Sequence, residues 1–487
     1  MQSDSFKYIR NRIREYRKDD VLEYCYELLQ TNHDKIFPVW YVFTLIKWTL
    51  VYGEHNYPPR ALSRDKFGKL FNLVQDFNQD HITEFIKNKE LKKAFQVLYN
   101  QQFYLQKSVY PEIFATQLKL ISGISGRYNI EDSFKEKTGL TVLEFLKMEQ
   151  LVWLYINIGQ LNEPDLYFPG YLDKDFVKTA SEVIEIAKVS SFLLLLTLNP
   201  YNTAEGISNF THKIKKEDLQ TMEMSFFTMF PFALHRGQMR LVHQSVFHHS
   251  ANYYIYDFLK ANDPQFTTEF GDRLEKYVEC GLIEMQSNYL TEAKLKRDLP
   301  KGSNLVDFVV QDQNIFIECK ATELQAHPSV NPTDELLYNA LKSSIFKAYF
   351  KQMLSVCGER RNGGENWGVI LTYKELYWSN FNDLFEIGKQ RQETELDYDI
   401  LPPENVFIID VYTWDKIVQI VKDRKATLTD ILKLAKSNNS SPETSKQLFN
   451  MHLDQFELKR LQLSYLTSEM KELNLEQRTT PNTTNTN

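Results

Sequence analysis

Two short apolar runs, Leu305-Val306-Asp307-Phe308-Val309-Val310 and Ile315-Phe316-Ile317-Glu318-Cys319-Lys320, flank the polar Gln311-Asp312-Gln313-Asn314 and constrain this chain more than any other segment. β-Branched and aromatic runs of this length, joined by a few polar residues, predict a hairpin. With Asp312 and Gln313 as a two-residue turn, the pairing is symmetric about that turn and sets Asp307 directly opposite Glu318. Side chains two apart on a strand share a face, so Lys320 joins the two carboxylates. The Val, Ile and Phe flanks mark both strands as buried. Two like charges buried beside a lysine are costly without a compensating ion, and carboxylates with water suit the oxygen coordination of a divalent cation, Mg2+ or Mn2+.

The bare pattern, an Asp and then Glu-x-Lys after a spacer, is short and recurs at Asp80 and Glu90-Leu91-Lys92. There the flanking Glu84, Lys87, Asn88 and Lys89 describe a solvated helical face. The bland reading of the 307–320 group is a cross-strand salt bridge on an edge strand, which apolar flanks on both strands disfavour.

The chain has 487 residues, too many for one ordinary core. From Ser5 to about Lys216 apolar residues recur at intervals of three and four, which predicts an all-α N-terminal domain over residues 1–215. A second helical stretch, Met222 to Leu259, and a helix over Phe270 to Val278 follow. Beyond Gly281 the period shortens: strands are expected at Tyr289–Leu295, Leu305–Val310, Ile315–Cys319, Val369–Tyr373 and Val406–Val411. A long helix over Thr333 to Cys357 and another after Trp414 alternate with them. The expected fold is α+β and multi-domain, with a mixed α/β domain over 216–435. The tail, 436–487, is expected to hold an amphipathic helix over Ser445 to Leu473 and a disordered end from Gln477.

No run reaches the length of a membrane span, and Ser190–Leu198, cut by Asn199-Pro200, reads as the end of a core helix. The first residues lack a secretory pattern, which predicts a cytoplasmic protein. Cys25, Cys280, Cys319 and Cys357 lie far apart and read as free thiols. A net charge of −7 argues against nucleic-acid binding through the global field and leaves room for a local basic groove.

Asp307 and the Glu318-Cys319-Lys320 element, on a β-hairpin, resemble the PD-(D/E)XK nuclease superfamily, the restriction-endonuclease-like fold, over roughly Ser225 to Lys422. The resemblance implies that Asp307 and Glu318 bind the metal and that Lys320 serves in water activation. The family's Pro before the Asp is Val306 here, a common departure. Gly271 to Val278 matches the family's G-x-x-x-E helix, which makes Glu275 a further acidic ligand. The helix after the Glu-x-Lys strand often presents a Gln or Lys to the site, and Lys347 and Gln352 look similar, with Gln352 the preferred candidate. The implied chemistry is phosphodiester hydrolysis, with DNA the favoured partner over RNA. Lys294, Lys296, Arg297, Lys301 and the loop Glu359 to Gly364 could guide it, although a solvated surface is the simpler account of these charges.

Helical regions fused to such cores resemble bacterial anti-phage, abortive-infection effectors, so residues 1–215 are expected to sense a trigger such as a phage protein. Restriction or DNA repair is the alternative setting, and a catalytically silent binding module the alternative class. His235, His243, His248 and His249 precede the core, and Arg236 to His243 fits the loose spacing of HEPN ribonucleases. Their dense aromatic surroundings point to packed histidines rather than a second site.

Overall fold

The computed structural model describes residues 2–30, 38–53, 59–77, 80–106, 109–162, 174–198, 217–360, 363–393, 395–441, 443–458 and 460–475. A run of helices is followed by a mixed α/β region, the expected order. The chain forms two compact units: Met1–Phe114 with Glu131–Asn262 and Ser329–Pro332, and Ala115–Ile130 with Asp263–Pro328 and Thr333–Asn487. The breaks expected near 215 and 435 are not where the units part. Periodicity along the chain reports the type of each element but not which core its apolar face enters.

In the first unit the helix Val39–Tyr52 is apolar almost all round, and its residues from Val42 to Leu50 are buried, as a central helix requires. Trp48 is enclosed edge-on by Phe6 and Phe77, with ring centroids 5.1 and 5.6 Å away. The helix Ile186–Leu196 buries Val189, Phe192, Leu193 and Leu196, and Thr197–Leu198 then becomes strand β1. β1 pairs in parallel with β2 (Phe232–His235), which pairs antiparallel with β3 (Gln238–Leu241). The helix expected over Met222 to Leu259 is thus corrected to a hairpin followed by the helix Gln244–Asn262. Arg236 and Gly237 adopt φ of 49° and 75°, the left-handed pair that a two-residue hairpin turn demands and a helix forbids.

Glu149, on the helix Val142–Asn162, is fully buried, and neither carboxyl oxygen has a hydrogen-bond partner among the described residues. Burial alone pushes its pKa well up. Replacing it with methionine, a side chain of similar volume with nothing to desolvate, is expected to stabilise the protein by about 1–3 kcal/mol at pH 8. A denaturant titration of Glu149→Met that shows no gain would contradict the unpaired carboxyl.

In the second unit five strands lie in the order β4 (Tyr289–Thr291), β5 (Phe308–Val310), β6 (Ile315–Lys320), β7 (Trp367–Thr372) and β8 (Val406–Asp410). The first three form an antiparallel meander, and β6, β7 and β8 are parallel. Parallel neighbours need a crossover, which β6 to β7 makes through a continuous helical stretch from Asp334 to Arg360 that includes two π-helical segments, Lys342–Phe346 and Ala348–Met353. Its Leu341, Ile345, Tyr349 and Met353 pack with Val309, Phe316, Ile370 and Ile408 in one core.

The helix Phe266–Glu284, the site helix below, buries Phe270, Leu274, Tyr277, Val278 and Leu282 completely. Gly281 allows it to approach the helix Val411–Lys422, because a Cβ there would meet Trp414 Nε1 at 2.5 Å. Two expectations are corrected here. The run Tyr289–Leu295 stays extended only to Thr291, after which Glu292–Asp298, rich in helix formers, turns helical. The tail is not one amphipathic helix but short turns at Phe449–His452, Asp454–Phe456 and Ser464–Leu466, then Thr467–Glu472. Its apolar residues are anchored separately, Phe449 against Phe407 at 5.4 Å, and Glu457 at φ 46° breaks any helical path. Gln477 to Asn487 lie outside the described residues.

Candidate active site

The hairpin register is Phe308 opposite Ile317, Val309 opposite Phe316 and Val310 opposite Ile315. Continued by one residue, this puts Asp307 opposite Glu318, the expected partner. The turn differs, since pairing stops at Val310 and Ile315 and all four residues between form the turn, with Asn314 at φ 50°. A symmetric lengthening of the loop leaves the register unchanged.

The two carboxylates are held by each other's strands. Asp307 Oδ2 accepts from Cys319 N at 2.6 Å, and Glu318 Oε2 accepts from Asp307 N at 3.2 Å. Lys320 Nζ forms an ion pair with Glu318 Oε1. Gln352 Nε2 donates to the same oxygen at 2.7 Å and to Leu305 O at 2.8 Å, whereas its own Oε1 is buried with no partner among the described residues. Gln352 is therefore at the site, and Lys347 is an exposed side chain of the same helical stretch.

Burial pushes Glu318 up to about 7, with repulsion from Asp307 adding to it and Lys320 opposing it. Asp307 is also raised, chiefly by burial. Glu275, on the site helix, is pushed up to about 7 by burial and then by the charge of Asp307, which places it within electrostatic reach of the hairpin. Glu292 was not anticipated. It also raises Asp307 and Glu275, and its backbone N–H donates to Asp307 O at 2.8 Å. The signal lay in the β4–β5 register, where Thr291 opposite Phe308 carries Glu292 to Asp307.

Among the described residues no three His, Cys, Asp or Glu side chains converge as a ready-made metal cage. The donor set nevertheless fits Mg2+, which keeps most of its waters and takes only one or two carboxylates from the protein. Asp307 and Glu318 would supply those, with Glu275 at longer reach. Lys294, Lys296, Arg297 and Lys301 are exposed near the start of the hairpin, and Arg361 and Asn362 of the second basic loop lie outside the described residues.

The histidines are held by different neighbours. His235 Nε2 meets Glu23 Oε2 at 2.7 Å, His249 lies edge-on to Tyr104 at 5.6 Å, and burial pushes His243 down to about 4. Comparison with family models, with curated proteins and with solved structures gave no match. No helix among the described residues is long and apolar enough to cross a membrane.

Proposed function

We propose that the second unit is a divalent-metal-dependent phosphodiesterase of the PD-(D/E)XK type, and that its substrate is DNA. The observation that carries this reading is the meeting of Asp307, Glu318 and Lys320 at one end of a buried hairpin, with both carboxylates raised by burial. Structural ion pairs rarely hold two carboxylates and one amine in a dry place, and perturbed groups of this kind cluster where chemistry is done.

Mg2+ or Mn2+, when bound, supplies Lewis-acid polarisation of the phosphate and acidifies water. Asp307 and Glu318 would hold it, with Glu275 as the outer acidic partner. Gln352 donates to the same Glu318 oxygen that Lys320 pairs with and so helps hold the carboxylate in place. Lys320 orients the attacking water and offsets the negative charge on the phosphoryl oxygens. The water gives up a proton to solvent as its oxygen bonds to phosphorus, the P–O3′ bond breaks, and the departing oxygen takes up a proton from solvent water.

The helical unit is proposed as the regulatory part of an anti-phage effector, by analogy with other fusions of this kind. Incubation of the protein with plasmid, linear DNA and RNA, in Mg2+ or in EDTA, tests the reading. Cleavage of DNA that EDTA abolishes is expected, either at once or on adding a phage protein as trigger. RNA cleavage alone would replace the substrate, and cleavage indifferent to EDTA would remove the metal from the mechanism.

A further inference from the structure

The site helix carries more than Glu275. Glu269, Arg273 and Lys276, spaced by four and three residues, line one of its faces, and all three hold the backbone of a single segment, residues 119–128. Glu269 Oε2 accepts from Arg127 N and Tyr128 N, both at 3.1 Å. Glu269 Oε1 accepts from Arg273 Nε at 2.9 Å. Arg273 turns its remaining donors to carbonyls of the same segment, Ile121, Leu120 at 3.5 Å and Tyr128 at 2.9 Å. Lys276 Nζ reaches Ser125 O at 2.8 Å.

Glu269 and Arg273 are 5% and 3% exposed, so this is a buried ion pair whose outward-facing atoms are bonded to peptide groups. Charge-assisted bonds of this kind fix position more than they add stability. The segment belongs with the second unit, although the chain on both sides of it belongs to the helical unit. A strap of main chain is thus fastened to the helix that presents Glu275, between Arg273 and Lys276 in sequence.

One residue makes the fastening possible. A Cβ at Gly126 would lie 1.4 Å from Glu269 Oε1, so only glycine lets a side chain as long as glutamate's reach the N–H groups of Arg127 and Tyr128 as it does here.

We propose that the 119–128 strap, clamped by Glu269 and Arg273, is the element that sets the position of Glu275 and so tunes the metal affinity of the hairpin site. This rests on the phosphodiesterase reading above. Glu269 and Arg273 act as positioning residues and touch no reacting atom. Removing either outright strands a buried charge and tests folding instead.

The test is Gly126→Ala, with Gly126→Ala/Glu269→Asp as its rescue, since the shorter carboxylate makes room for the added methyl. Mn2+ binding to the whole protein is measured by calorimetry, with hydrogen exchange of residues 266–284 and thermal melting alongside. Gly126→Ala is expected to weaken Asp307-dependent Mn2+ binding at least about tenfold, as loss of an outer-shell support does, and to speed exchange in the site helix. The double variant is expected to recover both.

A lowered melting temperature with an unchanged Mn2+ midpoint would mean that the strap only supports the fold, and would overturn the proposal. A weakened midpoint that the double variant fails to restore would overturn it as well. If the wild-type protein shows no Mn2+ binding that Asp307→Asn abolishes, the phosphodiesterase reading fails first and leaves the strap nothing to tune.

Discussion

Asp307→Asn and Lys320→Met are each expected to reduce metal-dependent cleavage by about a thousandfold or more while leaving the protein folded. The magnitude follows from what each side chain is asked to do, since one preorganised charge or one positioned proton carrier is worth roughly two to four orders of magnitude. The substitutions are chosen for shape. In Asp307→Asn the side-chain amide oxygen can still accept the hydrogen bond from Cys319 N, and in Lys320→Met the thioether chain fills the space of the lysine stem, so neither opens a cavity. Asp307→Asn removes one of two repelling buried carboxylates, and its melting temperature is expected to hold or rise, whereas Lys320→Met takes the ion-pair partner from the buried Glu318 and is expected to lower it. Activity of Asp307→Asn falling together with its stability would mean that the group is structural. Activity unchanged in both variants would sink the assigned site and favour a scaffold that binds without cutting.

The hairpin was legible because two physical constraints act on it at short range. Side chains alternate along a strand, and a symmetric turn fixes which residues oppose, so apolar flanks plus three charges gave the register and its face. The four-residue turn escaped because Asn314 in the left-handed region is decided by what surrounds it: its side chain donates to Gly363 O at 3.2 Å. The long helix over Thr333 to Cys357 was legible in the same way, from its period.

What failed had distant causes. The tail shows helical spacing from Phe449 to Phe456, yet Phe449 is placed by Phe407, which no local pattern can announce. The hairpin at β2 and β3 was hidden by aromatic density, although Arg236-Gly237 was a fair signal for its turn. The Glu269–Arg273 clamp joins groups more than 140 residues apart in sequence. Asp415 is similar: it is fully buried and accepts from Thr116, Tyr277 and Tyr465, drawn from three separate parts of the chain. The meeting of Asp307, Glu318 and Lys320 was thus readable and its mounting was not, because strand alternation and a symmetric turn act locally whereas positioning uses long-range partners.

In the absence of metal, Glu318→Gln is expected to be more stable than the wild-type protein above pH 7. The folded protein holds Glu318 at about 7 against an ordinary value of 4.5, so between those two values it keeps a proton that the unfolded chain has released. Stability then falls as pH rises through that window, and the loss is complete once the folded-state value is passed. A shift of that size corresponds to about 3 kcal/mol at most, shared with the coupled Asp307. Glutamine keeps one acceptor oxygen for Lys320 and Gln352, gives up the bond accepted from Asp307 N, and has no charge to desolvate.

Other groups move with pH in the same protein, and the comparison must cancel them. Asp415, also held near 7, has the same sign as Glu318. His243 and His452, pushed down to about 4 by burial, lose stability as pH falls below 6.5, and Lys47, lowered to about 7, gains as pH rises from 7 to 10. The difference between variant and wild type in EDTA, measured by denaturant unfolding at pH 5, 6.5 and 8, isolates Glu318. It should be near zero at pH 5 and grow to roughly 1–3 kcal/mol at pH 8. Adding Mg2+ at pH 8 should close the gap by stabilising the wild type alone, because a cation that binds only the folded site shifts the equilibrium by mass action. A gap that Mg2+ leaves open would mean that the buried carboxylates are a cost the fold bears for some purpose other than holding a metal.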